Sequence, residues 1–254
     1  MDILWERFER FLFSLGDGFT LLLQAIYWTR EAPWNLDKIL DSLVEFGSAT
    51  LPIASLAALF IGGVLSLQTG SRLAEFGIEG TIGGIVGLSM LKELGPVMTA
   101  LLVAGRVGSA ITAELGTMNV YEEIDALRTL DINPVRYLVM PRLLASLIAV
   151  PALSLYVSAI GIVGGAIVAD VNPHIAVTIH RFRESFEDTV KFSDAMDSLL
   201  KALVFGLALT VTSCYVGLRT TGGPEEIGRS VTRSVVFSFM FIFVLNYLIT
   251  RSLM

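Results

Sequence analysis

Residues 80–105 read GTIGGIVGLSMLKELGPVMTALLVAG, an apolar run with Lys92 and Glu93 near its middle. Roughly 20 apolar residues cross the hydrocarbon core of a bilayer as a helix, so this run is long enough to span it. A charge at mid-bilayer costs roughly 2.5–3.5 kcal/mol by insertion measurements, and it therefore faces an interior cavity or a partner. Gly95 and Pro96 follow directly. Proline has no amide hydrogen, and the ring of Pro96 clashes with the carbonyl of Lys92, so the helix is expected to kink there. Two readings compete for the charged pair: part of a transport pathway, or two charges that neutralise each other and pack. Neighbouring helix positions point roughly 100° apart and pair poorly, which favours the pathway.

The rest of the chain has the same character. Of its 254 residues 54% are hydrophobic and 17% charged, and the mean hydropathy is +0.70. The excess apolar surface suits lipid, and no segment outside the apolar runs is long enough for a soluble domain. Four more runs qualify as spans: Phe46 to Ser71, Leu143 to Ala169, about Lys201 to Leu218, and Ser234 to Thr250. Lys and Arg cluster in alternate connections: Arg7, Arg10, Arg30 and Lys38, then Arg106, Arg128, Arg136 and Arg142, then Arg219, Arg229 and Arg233. The positive-inside rule then predicts five crossings with a cytoplasmic N-terminus and an external C-terminus. The net charge of -6 argues against a nucleic-acid partner. Cys214 is the single cysteine and lies in an apolar run, which leaves no disulfide framework and no thiol metal cluster. The N-terminus has acids among its bases and does not read as a removable signal peptide.

Residues 1–44 are expected to form interfacial amphipathic helices ahead of a transmembrane domain over 45–254. Phe8, Phe11, Leu12 and Leu15 fall at helical spacing, and after a Gly16-Asp17-Gly18 break Phe19, Leu22, Leu23, Ile26 and Tyr27 repeat the pattern. Trp5, Trp28 and Trp34 suit headgroup depth. The rival is a sixth span from Phe11 to Thr29, weakened by Asp17 and its flanking glycines. Small residues four apart (Gly83 and Gly87, Ala104 and Gly108, Gly161 and Gly165) allow close helix approach, within a bundle or across a dimer.

Between the second and third spans, Asn119 followed by Glu122 suggests a capped helix start. Ile124, Leu127 and Leu130 form an apolar stripe, with Glu122, Glu123 and Asp125 in the first turn, where the helix dipole favours acids. Asn133-Pro134 is expected to end this helix. It suits either docking into a groove of a soluble partner or covering the end of the bundle. The chain has no engine of its own. Gly223-Pro-Glu-Glu-Ile-Gly228-Arg229-Ser230 nearly spells a phosphate loop, but it carries Arg in place of Lys and two glutamates where phosphates would sit. His174 and His180, and the acids Glu184, Glu187, Asp188, Asp194 and Asp197, read as solvated loop residues. An ion-coupled transporter or channel with Glu93 as its proton site is the alternative from another functional class.

The motifs Leu65-Ser-Leu-Gln68, Leu91-Lys-Glu-Leu-Gly-Pro96, Ala104-Gly-Arg-Val-Gly-Ser109, Ala113-Glu-Leu-Gly-Thr-Met118 and Glu123-Ile-Asp-Ala-Leu127, with Pro134 and Pro141-Arg142, resemble the MlaE permease family. These are membrane subunits of bacterial lipid ABC transporters that work with MCE-domain proteins. The resemblance covers nearly everything from Phe46 onward. It implies an all-α integral membrane protein with five transmembrane helices and a cytoplasmic coupling helix formed by Glu122, Glu123, Ile124, Asp125, Leu127 and Leu130. It also implies a homodimer in the bacterial inner membrane, bound to cytoplasmic ATPase subunits that hold ATP and magnesium, and to a periplasmic MCE-domain protein. The chain itself would carry no cofactor. Phospholipid would sit in an apolar cavity lined by Leu65, Leu73, Phe76, Lys92, Glu93 and Leu94, and would move between the inner membrane and the periplasm or outer membrane. One departure stands out: the family usually has an acid in the last span, where this chain has Asn246.

Overall fold

A computed structural model describes residues 16–30, 35–47 and 50–253. Trp5, the stretch from Phe8 to Leu15, and Trp34 lie outside them. The described residues are helical and include no strand. In chain order the helices are α1 (residues 16–28), α2 (Leu36–Gly47), α3 (Leu51–Glu75), α4 (Glu79–Val120), α5 (Glu123–Thr129), α6 (Val135–Val171), α7 (Ile179–Thr189), α8 (Phe192–Leu218) and α9 (Pro224–Leu253). Five helical stretches are long and apolar enough to cross a membrane: Leu36–Glu75, which contains α2 and α3, then α4, α6, α8 and α9. The five expected spans are therefore present.

The helices outrun the apolar runs that reveal them. α4 continues past Arg106 and Glu114 to Val120, and α8 begins at Phe192, ahead of Asp194, Asp197 and Lys201. A run of apolar residues stops at the first charge, whereas a helix tolerates charges that find partners. Gly16, Asp17 and Gly18, expected as a break, form the first described turn of α1. In α2 the exposed Leu36, Leu40 and Val44 share one face, while Ile39 and Phe46 are buried. That spacing makes an amphipathic helix.

By its contacts the chain divides into two units. One comprises Met1–Val44, Ala104–Leu147 and Leu207–Phe241. Here the end of α4 runs along the end of α8. The Thr112 hydroxyl donates to the Ser213 carbonyl at 3.1 Å and lies 2.8 Å from the Ser234 hydroxyl of α9. Gly217 abuts Leu115, Gly116 abuts Thr220, and the Asn119 amide donates to the Thr220 carbonyl at 2.8 Å. Buried Arg142 of α6 pairs with Glu114 at 2.7 Å, and Arg219 pairs with Asp17 of α1 at 2.6 Å.

The other unit comprises Glu45–Val103, Ile148–Gly206 and Ile242–Met254. α3 and α6 touch backbone to backbone: a Cβ on Gly62 would overlap the Gly161 carbonyl, and one on Gly164 would overlap that of Leu59. Small residues permit such a crossing where lipid supplies no hydrophobic drive between helices. The glycine face of α4 is used in the same way. Gly83 receives the Phe182 carbonyl of α7, Gly87 receives the Phe186 ring, and the Gly84 amide donates to the Ser185 hydroxyl at 3.1 Å. Two of the three expected glycine contacts are thus made within the chain. Ile82, Val86, Met90, Ala169, Ile175, Val177 and Phe182 form a buried cluster beneath α7.

Candidate functional site

The site grows from the break in α4. Residues Met90–Leu94 form a single π turn, with the Gly95 amide reaching back to the Met90 carbonyl. This widened turn is the form the expected disruption at Pro96 takes, and such turns recur at functional positions. Pro96 cannot donate to the carbonyl of Lys92, so that acceptor needs another partner. It finds the ammonium of Lys201 on α8, at 2.7 Å. The Met90 carbonyl also accepts from the Ser158 hydroxyl of α6 at 3.2 Å.

Lys201 ties the site together. Its ammonium contacts the Lys92 carbonyl, Glu93 Oε1 and Thr250 Oγ1, each at 2.7 Å. A lysine has three donors, so all are used. Its side chain is 3% exposed, against 41% for Glu93. Glu93 accepts further bonds from Thr250 Oγ1 at 3.0 Å and, through Oε2, from Asn246 Nδ2 at 2.9 Å. The position where the family usually has an acid therefore holds an amide that donates to the carboxylate. An acid in its place would bring a second negative charge. The other amide atom, Asn246 Oδ1, is buried without a hydrogen-bond partner.

Lys92 and Glu93 do not neutralise each other. Lys92 reaches Asp194 of α8 at 2.8 Å, and the second oxygen of Asp194 accepts the Lys191 amide at 2.8 Å. Asp194 is not the solvated loop acid expected: it is 7% exposed and lies in the first turn of α8. Lys201, Thr250 and Asp194 are the site residues that sequence reasoning missed. A signal existed in spacing: Asp194 and Lys201 are seven apart, and Asn246 and Thr250 four apart, so each pair shares one helix face.

Among the other expected cavity residues, Leu65, Leu73 and Leu94 are half-buried against the cluster beneath α7. Phe76, just past α3, is 77% exposed.

A helix, α5, is present where the docking helix is expected, with a different construction. Asn119 does not cap it, because its side chain is bonded to Thr220. The cap is Glu122, in the left-handed region at φ 60°. Glu123 and Asp125 are exposed in the first turn, and Asp125 pairs with Arg128 at 2.7 Å. The stripe is split: Ile124 is buried, Leu127 half-buried and Leu130 70% exposed. The helix ends at Thr129, where Asp131 turns left-handed (φ 61°) and the Ile132 amide returns to the Leu127 carbonyl at 2.9 Å. That is a Schellman ending. Asn133 and Pro134, expected to end α5, instead start α6, since the Asn133 side chain accepts the Val135 amide at 2.9 Å. Tyr121, Leu130 and the acids leave α5 with an exposed, mixed apolar and acidic surface.

The stretch resembling a phosphate loop is the start of α9. Gly222 turns at φ +113°, Pro224 opens the helix, and Arg229 and Arg233 pair with Glu225 and Glu226. Its arginines are held by its own acids.

Residues 39–252 match the family model described as Permease MlaE. A probable ABC transporter permease protein of Rickettsia typhi is 39% identical over 244 residues, covering 96% of this chain and 93% of that protein. The intermembrane phospholipid transport system permease protein MlaE of Haemophilus influenzae is 34% identical over 241 residues, covering 94% and 92%. The chloroplastic protein TRIGALACTOSYLDIACYLGLYCEROL 1 of Arabidopsis thaliana is 36% identical over 211 residues, covering 83% and 60%. With five membrane-spanning helices and a family match over most of its length, this chain belongs to the MlaE permease family.

Proposed function

We propose that the chain is the membrane subunit of an ATP-driven transporter that moves phospholipid between the inner membrane and the periplasm or outer membrane. The observation that carries this reading is the half-exposed Lys92 and Glu93 at a broken mid-helix, in a chain of this family whose Leu65, Leu73 and Leu94 are half-buried against the Met90 cluster. Acyl chains enter an apolar cavity with about 0.8 kcal/mol gained per buried methylene. A lipid bound that strongly needs driven release, and a cytoplasmic ATPase holding ATP and magnesium supplies it.

In this reading Lys92 faces the lipid phosphate, while Lys201, with its donors used, holds the site's shape. α5 docks the ATPase through Glu122, Glu123, Asp125, Leu127 and Leu130, and Ile124 anchors it to the bundle. The N-terminus is cytoplasmic and the C-terminus periplasmic, a placement supported by the distribution of Lys and Arg. Two copies form the cavity, and an MCE-domain protein receives or delivers lipid on the periplasmic side. The ion-coupled alternative loses its support, because relatives carrying the ABC transporter permease name cover nearly the whole chain. Mass spectrometry of the complex purified from native membranes tests the reading. It predicts two copies of this chain, an ATPase, an MCE-domain protein and bound phospholipid; a lone monomer without lipid contradicts it.

A further inference from the structure

The ionic contacts around the α4 break are not equivalent, and the difference assigns a role to Asp194. Lys201 is buried with its three donors used, and Glu93 already accepts three bonds. Neither is open to a new ligand without breaking the frame. Lys92 is: its side chain is 44% exposed, and its single ion pair, to Asp194 at 2.8 Å, leaves donors to spare.

Asp194 is built to lend that cation. Its Oδ2 accepts the Lys191 amide at 2.8 Å, and it stands in the first turn of the 27-residue helix α8. An acid in a first helical turn is stabilised by the helix dipole and by otherwise unsatisfied amides. When Lys92 leaves, Asp194 keeps a backbone partner and a favourable field. The charges around it are Lys191, exposed beside the pair, and Asp197, half-buried one turn further along α8. Glu93 is committed to Lys201 and does not replace Asp194 as the partner of Lys92.

Resting on the proposed phospholipid reading, we infer that Asp194 is an exchangeable counter-ion: the lipid phosphate takes Lys92 from it on entry, and Asp194 takes Lys92 back on release. The device favours anionic phosphate headgroups over uncharged lipids and keeps Lys92 from holding the phosphate too tightly. Asp194 is a positioning residue, acting on the lipid only through Lys92.

The test compares Asp194→Asn with wild type in the complete complex. The asparagine keeps an oxygen for the Lys191 amide and loses the competing charge. Binding is measured with fluorescent phosphatidylglycerol and, in parallel, with fluorescent diacylglycerol. The variant is expected to bind phosphatidylglycerol roughly twofold to fivefold more tightly, the scale of losing one partly exposed ion pair. Its ATP-driven release should be slower, and its affinity for diacylglycerol unchanged. Unchanged phosphatidylglycerol affinity, or equal tightening for both lipids, overturns the inference. Inorganic phosphate should not displace the bound lipid; displacement would mark a general anion site and also overturn it. If Asp194→Asn does not assemble, Lys92→Gln serves instead, and it must lose the preference for phosphatidylglycerol over diacylglycerol. A retained preference overturns the inference. A wild-type complex that binds neither lipid overturns the phospholipid reading itself.

Discussion

Lys201 and Lys92 both lie in helices long and apolar enough to cross a membrane, yet their surroundings predict opposite tolerance to change. Lys201 is buried and bonded to a carbonyl freed by proline, a carboxylate and a hydroxyl. Lys201→Met leaves Glu93 without its counter-ion and the Lys92 carbonyl without a donor. Because Glu93 is itself 41% exposed, the expected loss is about 1–3 kcal/mol, the scale of leaving a buried acceptor unsatisfied. Lys92→Met breaks a pair whose lysine is nearly half exposed and leaves Asp194 bonded to the Lys191 amide, with an expected cost of about 1 kcal/mol or less. Thermal unfolding of the detergent-solubilised complex should rank them in that order, and equal losses would contradict the assignment. Asn246 offers a second comparison. Asn246→Asp replaces the donor to Glu93 with a like charge at a position 2.9 Å away, an expected loss of about 1–3 kcal/mol. Adding Glu93→Gln should recover most of that loss, because the pair can then hydrogen-bond again. Failure to recover would mean that the amide serves another contact.

At the scale of elements, the α4 and α8 ends make a seam of four contacts, from Thr112 with Ser213 to Asn119 with Thr220. The seam sits immediately before α5, so α5 should move with α4 and α8 as one body. A Cβ on Gly116 would lie 3.3 Å from that of Thr220, just short of ordinary disulfide geometry. Gly116→Cys with Thr220→Cys, in a Cys214→Ala background, should cross-link and keep transport within about twofold of the reduced protein. Transport lost on oxidation and restored by reductant would show that the seam opens during the cycle. The spans themselves were legible in the sequence because lipid demands long apolar runs. Their ends were not, because Asp194, Lys201, Arg106 and Glu114 interrupt the runs while the helix continues. α5 was legible as an acidic helix, but its caps were not. Asn119 has the chemistry of a cap and is drawn away by the Thr220 carbonyl, while Asn133-Pro134, which reads as a stop, begins α6. Within the site, Lys92 and Glu93 stood out as charges in an apolar run. Lys201 opened another apolar run and Asp194 lay ahead of that run, where a solvated loop explained the acid equally well.

At the scale of the whole molecule, α9 shows how much remains to be covered. Only 17% of its most apolar window is buried within the chain, and Met240, Phe243, Val244, Tyr247 and Leu248 are exposed. In a membrane, lipid or a second copy would have to cover that surface. The proposed reading assigns the drive to a partner: the arginines of the phosphate-loop-like stretch are held by its own glutamates, and α5 presents acids and apolar side chains outward. The most direct test is phospholipid movement in proteoliposomes holding this chain with its ATPase and MCE-domain partners, compared with the chain alone. The account predicts ATP-dependent transfer by the full assembly, abolished by the pair Glu123→Arg and Leu127→Glu on α5, and no transfer by the chain alone under any ion gradient. Transfer by the isolated chain driven by a proton or sodium gradient would contradict it.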